Sequence, residues 1–259
     1  MTILEKIIAF KRKEVEERKK LISISDLEKS IHFPDSNISL QHFLKDPSKT
    51  GIIAEFKRKS PSKGVINSLA DVRHVTTGYA REGASGLSVL TDNKFFGGSI
   101  DDLLIARKSN SIPVLRKEFI IDEYQVVESK ANGADVILLL ASALENEEIV
   151  RFAGLAHSLG METILEVHSI SELDMNNEHI DIIGVNNRDL RTFNVDLNIS
   201  LKIAEIIPVQ FLKISESGIS TPSTVSYLRQ AGYDGFLIGE HFMKTEDPVA
   251  AFSAFNQMV

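Results

Sequence analysis

The sequence predicts a closed barrel of eight parallel strands alternating with helices, a (β/α)8 fold, and three observations support it. Short, β-branched apolar runs of strand length recur eight times along the chain. Polar stretches with helical spacing lie between them. Gly83, Gly133, Gly160 and Gly232 each stand at the end of a helical stretch, just before a strand.

Strands are expected at 52–54, 87–90, 113–115, 136–140, 163–165, 182–185, 211–214 and 236–238. Near-continuous apolar runs of this length fit parallel strands that are covered on both faces. Helices are expected over 71–81, 100–109, 122–132, 145–159, 197–206, 221–230 and 248–257, with a shorter one over 169–176. Glycine after a helix permits the left-handed backbone that ends it. Repetition of strand, helix, glycine and strand implies βαβ units, and eight of them match a closed barrel. The rival architecture, an open doubly wound sheet, normally carries a glycine-rich dinucleotide loop after its first strand. Here that position reads Glu55-Phe56-Lys57-Arg58-Lys59-Ser60, so the loop is missing.

About fifty residues precede the first strand, and no linker separates them from it. Ile3, Ile7, Ile8, Phe10 and Lys11 begin an amphipathic helix rich in charge. A second helix is expected over 25–31, capped by Ser25-Asp26. The whole chain, 1–259, is read as a single barrel domain. Residues 1–50 are read as an N-terminal helical extension, and its helices are expected to cover the active-site mouth.

Composition limits the function classes. The 259 residues are 43% hydrophobic and 25% charged, enough to bury a sizeable core. A net charge of −7 argues against nucleic-acid binding, which usually needs a basic face. It leaves room for an anionic small molecule, because a local basic cluster can sit inside an acidic protein. With no cysteine, disulfides, thiolate chemistry and cysteine metal sites are excluded. The first twenty residues lack an apolar signal core, and no apolar run approaches the ~20 residues of a membrane span. A cytoplasmic protein with no membrane partner is expected.

The informative feature is where ionisable residues meet strand ends. In a barrel, the C-terminal ends of the strands and the loops after them build the active site. The first strand ends in Glu55 and Lys57, two apart and therefore on one side. The third ends in Lys117, the fifth in Glu166, and the sixth gives Asn186 and Arg188. The seventh gives Lys213, Ser215, Glu216, Ser217 and Gly218, and the eighth gives Gly239 and Glu240. Any one of these alone is equally well a solvated end or a local ion pair. Loading one end of a barrel at five or more strands points to a site. Lys213 sits two residues before Ser215; an inward direction is open to it, but it is read as structural. Gly218 and Gly239 stand where barrels bind phosphate through backbone N–H groups, and Lys57 can reach the same anion as a point charge. His168 and His241 lie near the mouth, with structural and functional roles equally open.

These residues resemble the indole-3-glycerol phosphate synthase family across essentially the whole chain. The stretch from Ile53 to Gly64, Ile-Ala-Glu-Phe-Lys-Arg-Lys-Ser-Pro-Ser-Lys-Gly, is similar to the family signature. So are Leu115-Arg116-Lys117-Glu118-Phe119, Leu165-Glu166-Val167-His168 and Gly184-Val185-Asn186-Asn187-Arg188. Phe95-Phe96-Gly97-Gly98-Ser99, Ser215-Glu216-Ser217-Gly218 and Leu237-Ile238-Gly239-Glu240 complete the match, in order. The resemblance implies conversion of 1-(2-carboxyphenylamino)-1-deoxyribulose 5-phosphate into indole-3-glycerol phosphate, with release of CO2 and water. It implies no cofactor and no metal.

By the same resemblance, Lys117 is the general acid, while Glu166 and Glu55 manage the proton transfers of dehydration. Asn186 and Arg188 hold substrate hydroxyls and support the carboxylates. Lys57, Ser217, Gly218, Gly239 and Glu240 bind the phosphate, and Glu216 lines the same mouth. Phe96, Phe119, Leu138 and Leu140 fall where an apolar slot for the aromatic ring is needed, although plain core packing also accounts for the leucines. Ser60 matches a position at the mouth, and is equally a turn residue before Pro61. Two departures stand out. The segment before the sixth strand lacks the family's usual Gly-Ala pair, and Glu240 replaces a small hydroxyl residue of some members.

Two other readings stay open at this stage. A phosphoribosylanthranilate isomerase would share the barrel and phosphosugar, but its usual cysteine is missing. A catalytically silent barrel binding phosphorylated ligands would need only the phosphate end, not Glu55, Lys117 and Glu166 as well. A small phosphorylated substrate and a monomer are expected, with a homodimer open.

Overall fold

The computed structural model describes residues 1–30, 32–33 and 36–259. Eight parallel strands close on themselves: β1 (Ile52–Phe56), β2 (Gly86–Leu90), β3 (Val114–Lys117), β4 (Val136–Leu140), β5 (Glu162–Val167), β6 (Ile182–Asn186), β7 (Leu212–Glu216) and β8 (Gly235–Ile238). Each pairs with its neighbours in sequence, and β1 pairs with β8 to complete the barrel. This is the TIM arrangement that the eight apolar runs predict, and every run falls on a strand, with only Pro113 and Phe211 just before theirs.

Among the described residues, three helices precede the barrel: α1 (Ile3–Leu21), α2 (Ile24–Leu27) and α3 (Leu40–Lys45). Nine more follow: α4 (Val72–Arg81), α5 (Asn93–Phe96), α6 (Ile100–Ser109), α7 (Glu123–Ala131), α8 (Asn146–Ser158), α9 (Asn198–Ala204), α10 (Pro222–Gln230), α11 (Glu240–Met243) and α12 (Pro248–Asn256). Side chains of Asp71, Ser99, Asp122, Thr221 and Asp247 accept the first backbone N–H groups of α4, α6, α7, α10 and α12. Gly83, Gly133, Gly160 and Gly232 take φ of 100°, 79°, 76° and 92°, the left-handed geometry expected of helix terminators.

Two local expectations need correction, and the structural reading of Lys213 holds. The second helix spans Ile24–Leu27 and is capped by Ser23, whose side chain accepts from Asp26 N; Ser25 lies inside it. Its expected end at position 31 falls outside the described residues. The shorter helix expected after β5 is a 3-10 helix, Ile170–Met175, with a tighter wind than an α-helix. Lys213 points outward and donates to the Ala204 carbonyl at 2.9 Å, because β7 alternates and Glu216 takes the inward position.

That alternation divides the apolar residues into two cores. Ile53, Leu115, Val136, Leu138, Leu140, Ile164, Ile182, Leu212, Ile214 and Leu237 pack inside the barrel. Ile52, Ala54, Phe56, Leu87, Val89, Val114, Ile137, Leu139, Leu165, Ile183 and Phe236 pack outward against the helices. The interior is therefore filled, and only the top row of inward positions is free to be polar.

The extension stoppers the other end. Leu40 and Leu44 of α3 join the interior cluster. They fit because Gly86 and Gly235 begin β2 and β8; a Cβ at either would lie 2.9 Å from a leucine methyl. Glu162, at the start of β5, holds the plug: its carboxylate accepts from Leu40 N at 2.8 Å, Gln41 N at 3.1 Å and the Ser39 hydroxyl. Glu162→Ala leaves those donors without their acceptor. It should destabilise the fold by about 1–3 kcal/mol. A lowered denaturant midpoint with an unchanged slope is the expected result; an unaltered midpoint would mean that α3 is held by its leucines alone.

Candidate active site

The upper inward positions carry the charge. Glu55 of β1, Lys117 of β3, Glu166 of β5, Asn186 of β6 and Glu216 of β7 surround one cavity of about 470 Å³. Lys57, Ser60, Arg188, Ser217, Gly218, Gly239 and Glu240 line it from the loops beyond the strands. Phe96, Phe119, Leu138 and Leu140 form its apolar wall, with the two rings tilted at 39° and 5.9 Å apart. Every residue to which the resemblance gives a site role is thus brought to one cavity, although they come from all parts of the chain; Lys213, Ser215 and His168 do not line it. The cavity is of ordinary size for a small ligand.

Its centre is an ammonium between two carboxylates. Lys117 Nζ donates to Glu166 Oε2 at 2.8 Å and to Glu216 Oε2 at 2.5 Å. Burial alone would lower the Lys117 pKa, but the charges of Glu166, Glu216 and Glu55 outweigh it and raise it. The lysine is cationic in the resting site. The two carboxylates are not equivalent. Burial raises both, but Glu166 also receives Asn186 Nδ2 at 2.8 Å, and the charges of Lys117 and His168 carry its pKa below the ordinary value. Glu216 Oε1 has no hydrogen-bond partner among the described residues. Burial and repulsion from Glu166 and Glu55 therefore push Glu216 up to about 7.

A second pair sits beside the first. Lys57 Nζ donates to Glu55 Oε1 at 2.5 Å. The loop carrying Lys57 and Ser60 is anchored by Arg58, whose guanidinium grips both oxygens of Asp102 at 2.6 and 2.9 Å. Ser60 accepts from Lys63 N at 3.3 Å, within a turn closed by the short antiparallel ladder Lys59–Ser60 with Gly64–Val65. Gly239 has to be small: a Cβ there would lie 2.5 Å from Glu55 Oε1.

The far rim is built from unusual backbone. Ser217 and Gly218 take φ of 67° and 78° in succession, turning the chain over the cavity. Asn187 secures this turn by donating to the carbonyls of Glu216 and Ser217, at 3.0 and 3.1 Å. Arg188 N donates to Asn186 Oδ1 at 3.0 Å, which orients the amide that supports Glu166. The Arg188 guanidinium lies 3.6 Å from Glu240 Oε2, whose other oxygen is 3.5 Å from Lys63. Ser215 faces outward into hydrogen bonds with Ser200 and Asn187, away from the cavity.

His241 lines the cavity. His168 does not; it stands behind Glu166 at 3.5 Å, and Glu172 approaches its other nitrogen at 3.7 Å. Burial would lower the His168 pKa, but Glu172 and Glu166 raise it.

Several wall residues were not named from the sequence. Ile3, Leu4 and Ile7 of α1 reach over the cavity, as the expected cover would. Their helical spacing was a visible signal; which surface they would meet was not. Leu190, Phe193 and Val195 come from the loop after β6, where Phe193 takes a φ of 60°. Nothing local in the sequence marks that strained turn.

Carboxylates and lysines interleaved at the C-terminal end of a closed barrel, beside an apolar aromatic slot, define a barrel enzyme that works by acid–base catalysis. The family model described as indole-3-glycerol phosphate synthase matches residues 4–255, and the chain belongs to that family. It is 49% identical over 257 residues to an indole-3-glycerol phosphate synthase of Bacteroides thetaiotaomicron, covering 99% of this chain and 98% of the relative. A relative of the same name from Laribacter hongkongensis is 41% identical, with 97% of each chain covered. Among solved structures, the tryptophan synthase alpha subunit of Legionella pneumophila matches with a TM-score of 0.60 at 17% identity, covering 85% of this chain and 95% of its own. Thiamine phosphate pyrophosphorylase of Pyrococcus furiosus matches with a TM-score of 0.60 at 15% identity, covering 82% and 96%. At such identities these two speak for the fold alone.

Because its pKa is raised on folding, Glu216 binds more protons in the folded than in the unfolded chain between its ordinary value and about 7. Its contribution to stability therefore falls as pH rises through that window. Glu216→Gln removes the titration. Thermal unfolding of both proteins from about pH 5 to about pH 8 should show the variant gaining stability relative to the parent. A constant difference would place the proton elsewhere.

Proposed function

We propose that the cavity performs the ring closure, decarboxylation and dehydration that turn 1-(2-carboxyphenylamino)-1-deoxyribulose 5-phosphate into indole-3-glycerol phosphate. The observation that carries this reading is the position of Lys117, held between Glu166 and Glu216 below the Phe96–Phe119 slot. An aromatic carbon is a weak nucleophile, so the ketone must be activated by an acid within hydrogen-bond reach. The Lys117 ammonium donates its proton to the carbonyl oxygen as the ring carbon bearing the carboxylate attacks. Loss of CO2 then returns the electron pair to the ring and restores its aromaticity. The new hydroxyl leaves as water and the neighbouring carbon loses a proton, transfers assigned to Glu166 and Glu55.

Asn186 and Arg188 keep Glu166 oriented and meet the substrate hydroxyls. The phosphate lies at the rim formed by Lys57, Ser217, Gly218, Gly239 and Glu240, with contacts mainly to backbone N–H groups and the Lys57 charge. Glu216 serves as a wall and as the carboxyl that most readily takes a proton. Leu138 and Leu140 floor the aromatic slot, and Ser60 borders it. The part assigned to the side chains in each step is to move a proton or to hold a charge, and the reaction calls for no cofactor. One chain supplies every group named, so a cytoplasmic monomer suffices.

Incubating the purified protein with the carboxyphenylamino-deoxyribulose phosphate and recording indole fluorescence tests the reading. Folded protein that gives no indole product would overturn it. Lys117→Met should lower kcat by roughly 10²–10⁴-fold with KM little changed, because the acid acts in the transition state. A raised KM with normal kcat would remove it from that role. Lys57→Ala should raise KM by about tenfold or more through the lost phosphate contact. An unaltered KM would take Lys57 out of the phosphate site.

A further inference from the structure

Behind the wall that carries Lys117 lies a second set of buried charges that the proposed chemistry does not use. Lys11 of α1 is 1% exposed. Its Nζ lies 2.8 Å from Glu14, 2.9 Å from Asp92 and 3.1 Å from Glu118. Glu14 holds Arg18 at 2.5 Å, and Arg18 reaches Glu128 of α7 at 3.1 Å. Glu128 receives Arg116 at 2.6 Å, and Arg116 closes the circuit on Glu118 at 4.0 Å. Three cations and three carboxylates therefore alternate around a ring, with Asp92 attached at Lys11.

The ring reaches the backbone that carries the two aromatic residues of the slot. Arg116 and Glu118 flank Lys117: Arg116 is wholly buried on the outer side of β3, and Glu118, just past the strand end, is buried beside the cavity that Lys117 enters. Glu118 Oε1 accepts from Phe119 N at 2.9 Å, and Asp92 caps α5 by accepting from Phe95 N at 2.6 Å. Phe119 and Phe96 follow directly on these two anchors. One and two turns before Lys11 on the same helix stand Ile7, Leu4 and Ile3, the cover of the cavity. The buried residues of α1 are Ile7, Lys11 and Val15, so a charge stands at the centre of its docking face. Apolar contacts tolerate sliding and rotation of a helix; a ring of directional ion pairs does not.

We propose that Lys11 is a positioning residue for substrate binding, fixing α1 over the cavity and setting Phe96 and Phe119 for the aromatic ring of the substrate. The proposal rests on the substrate reading given above. It makes a split in the kinetics: the cover and slot govern affinity, while Lys117, Glu166 and Glu55 keep their own contacts.

Lys11→Met in the full chain tests it. The expected result is a rise in KM of roughly tenfold, equivalent to about 1.4 kcal/mol, with kcat within about threefold of the parent. Hydrogen exchange at the α1 amides should quicken while that of β3 and β5 stays as it was. A lowered melting temperature with unchanged KM and unchanged α1 exchange would overturn the proposal, leaving Lys11 a structural residue only. A fall in kcat at constant KM would overturn it too. If Lys11→Met does not fold, Glu14→Gln cuts one link on the more accessible side of the ring and should raise KM in the same direction; parental KM and parental α1 exchange would then count against the idea. The exchange measurement needs no turnover. A parent protein that makes no indole would sink the substrate reading, whereas unaltered α1 exchange would sink the ring.

Discussion

The organisation of the site depends on one buried contact, the Lys117 ammonium gripped by Glu166 and Glu216 in the upper layer of the barrel. Taking three charges out of water is costly unless each is paired and hydrogen-bonded. Lys117 is shared between Glu166 and Glu216, while Lys57 pairs with Glu55. Burial and repulsion among these carboxylates favour a proton on one of them. The charges of Lys117 and His168 hold Glu166 ionised, the Asn186 amide adds to them, and Glu216 is left the weaker acid. A site with one carboxyl held ionised and a neighbour near its midpoint at neutral pH has both an acid and a base at hand.

The barrel wall lets two electrostatic systems coexist a few residues apart. On β3, Lys117 faces the cavity while Arg116, wholly buried, faces the helices. The inner system has a cavity beside it into which a substrate can be exchanged for existing partners. The outer one is a closed circuit of ion pairs reaching α1 and α7. Removing one partner from such a circuit leaves an uncompensated charge, which is why the outer residues act as clamps and the inner ones are suited to chemistry.

Stability and function also separate along the barrel axis. At the lower end Glu162 and the α3 leucines seal the interior. Asp135 adds to this end, tying Ile38 N at 2.8 Å, Val114 N at 2.8 Å and Arg107 at 2.6 Å. At the upper end the unusual backbone collects: Phe193 and Ser217, the two non-glycine residues with positive φ among those described, both line the cavity. Such conformations cost free energy and persist only where surrounding structure holds them, as Asn187 holds the turn at Ser217.

Much of this was legible in the chain. Hydrophobic runs of strand length, helical spacing and terminating glycines determined the order of strands and helices, because those signals are local and follow from backbone geometry. The polarity of the barrel then singled out Glu55, Lys117, Glu166 and Asn186, whose polar side chains are out of place at the end of an apolar run. The sequence could not say that Ser23 rather than Ser25 would cap α2, or that Lys213 would turn outward, since each depends on a one-residue choice of direction. It was silent on Phe193 and on the ring through Lys11. Lys11, Asp92, Glu118 and Glu128 lie on separate elements, and only the packing of α1 against β3 and α7 brings their charges within reach of one another. The same holds for the division of protons between Glu166 and Glu216: residue type supplied two similar acids, and burial, neighbours and a single amide hydrogen bond made them different.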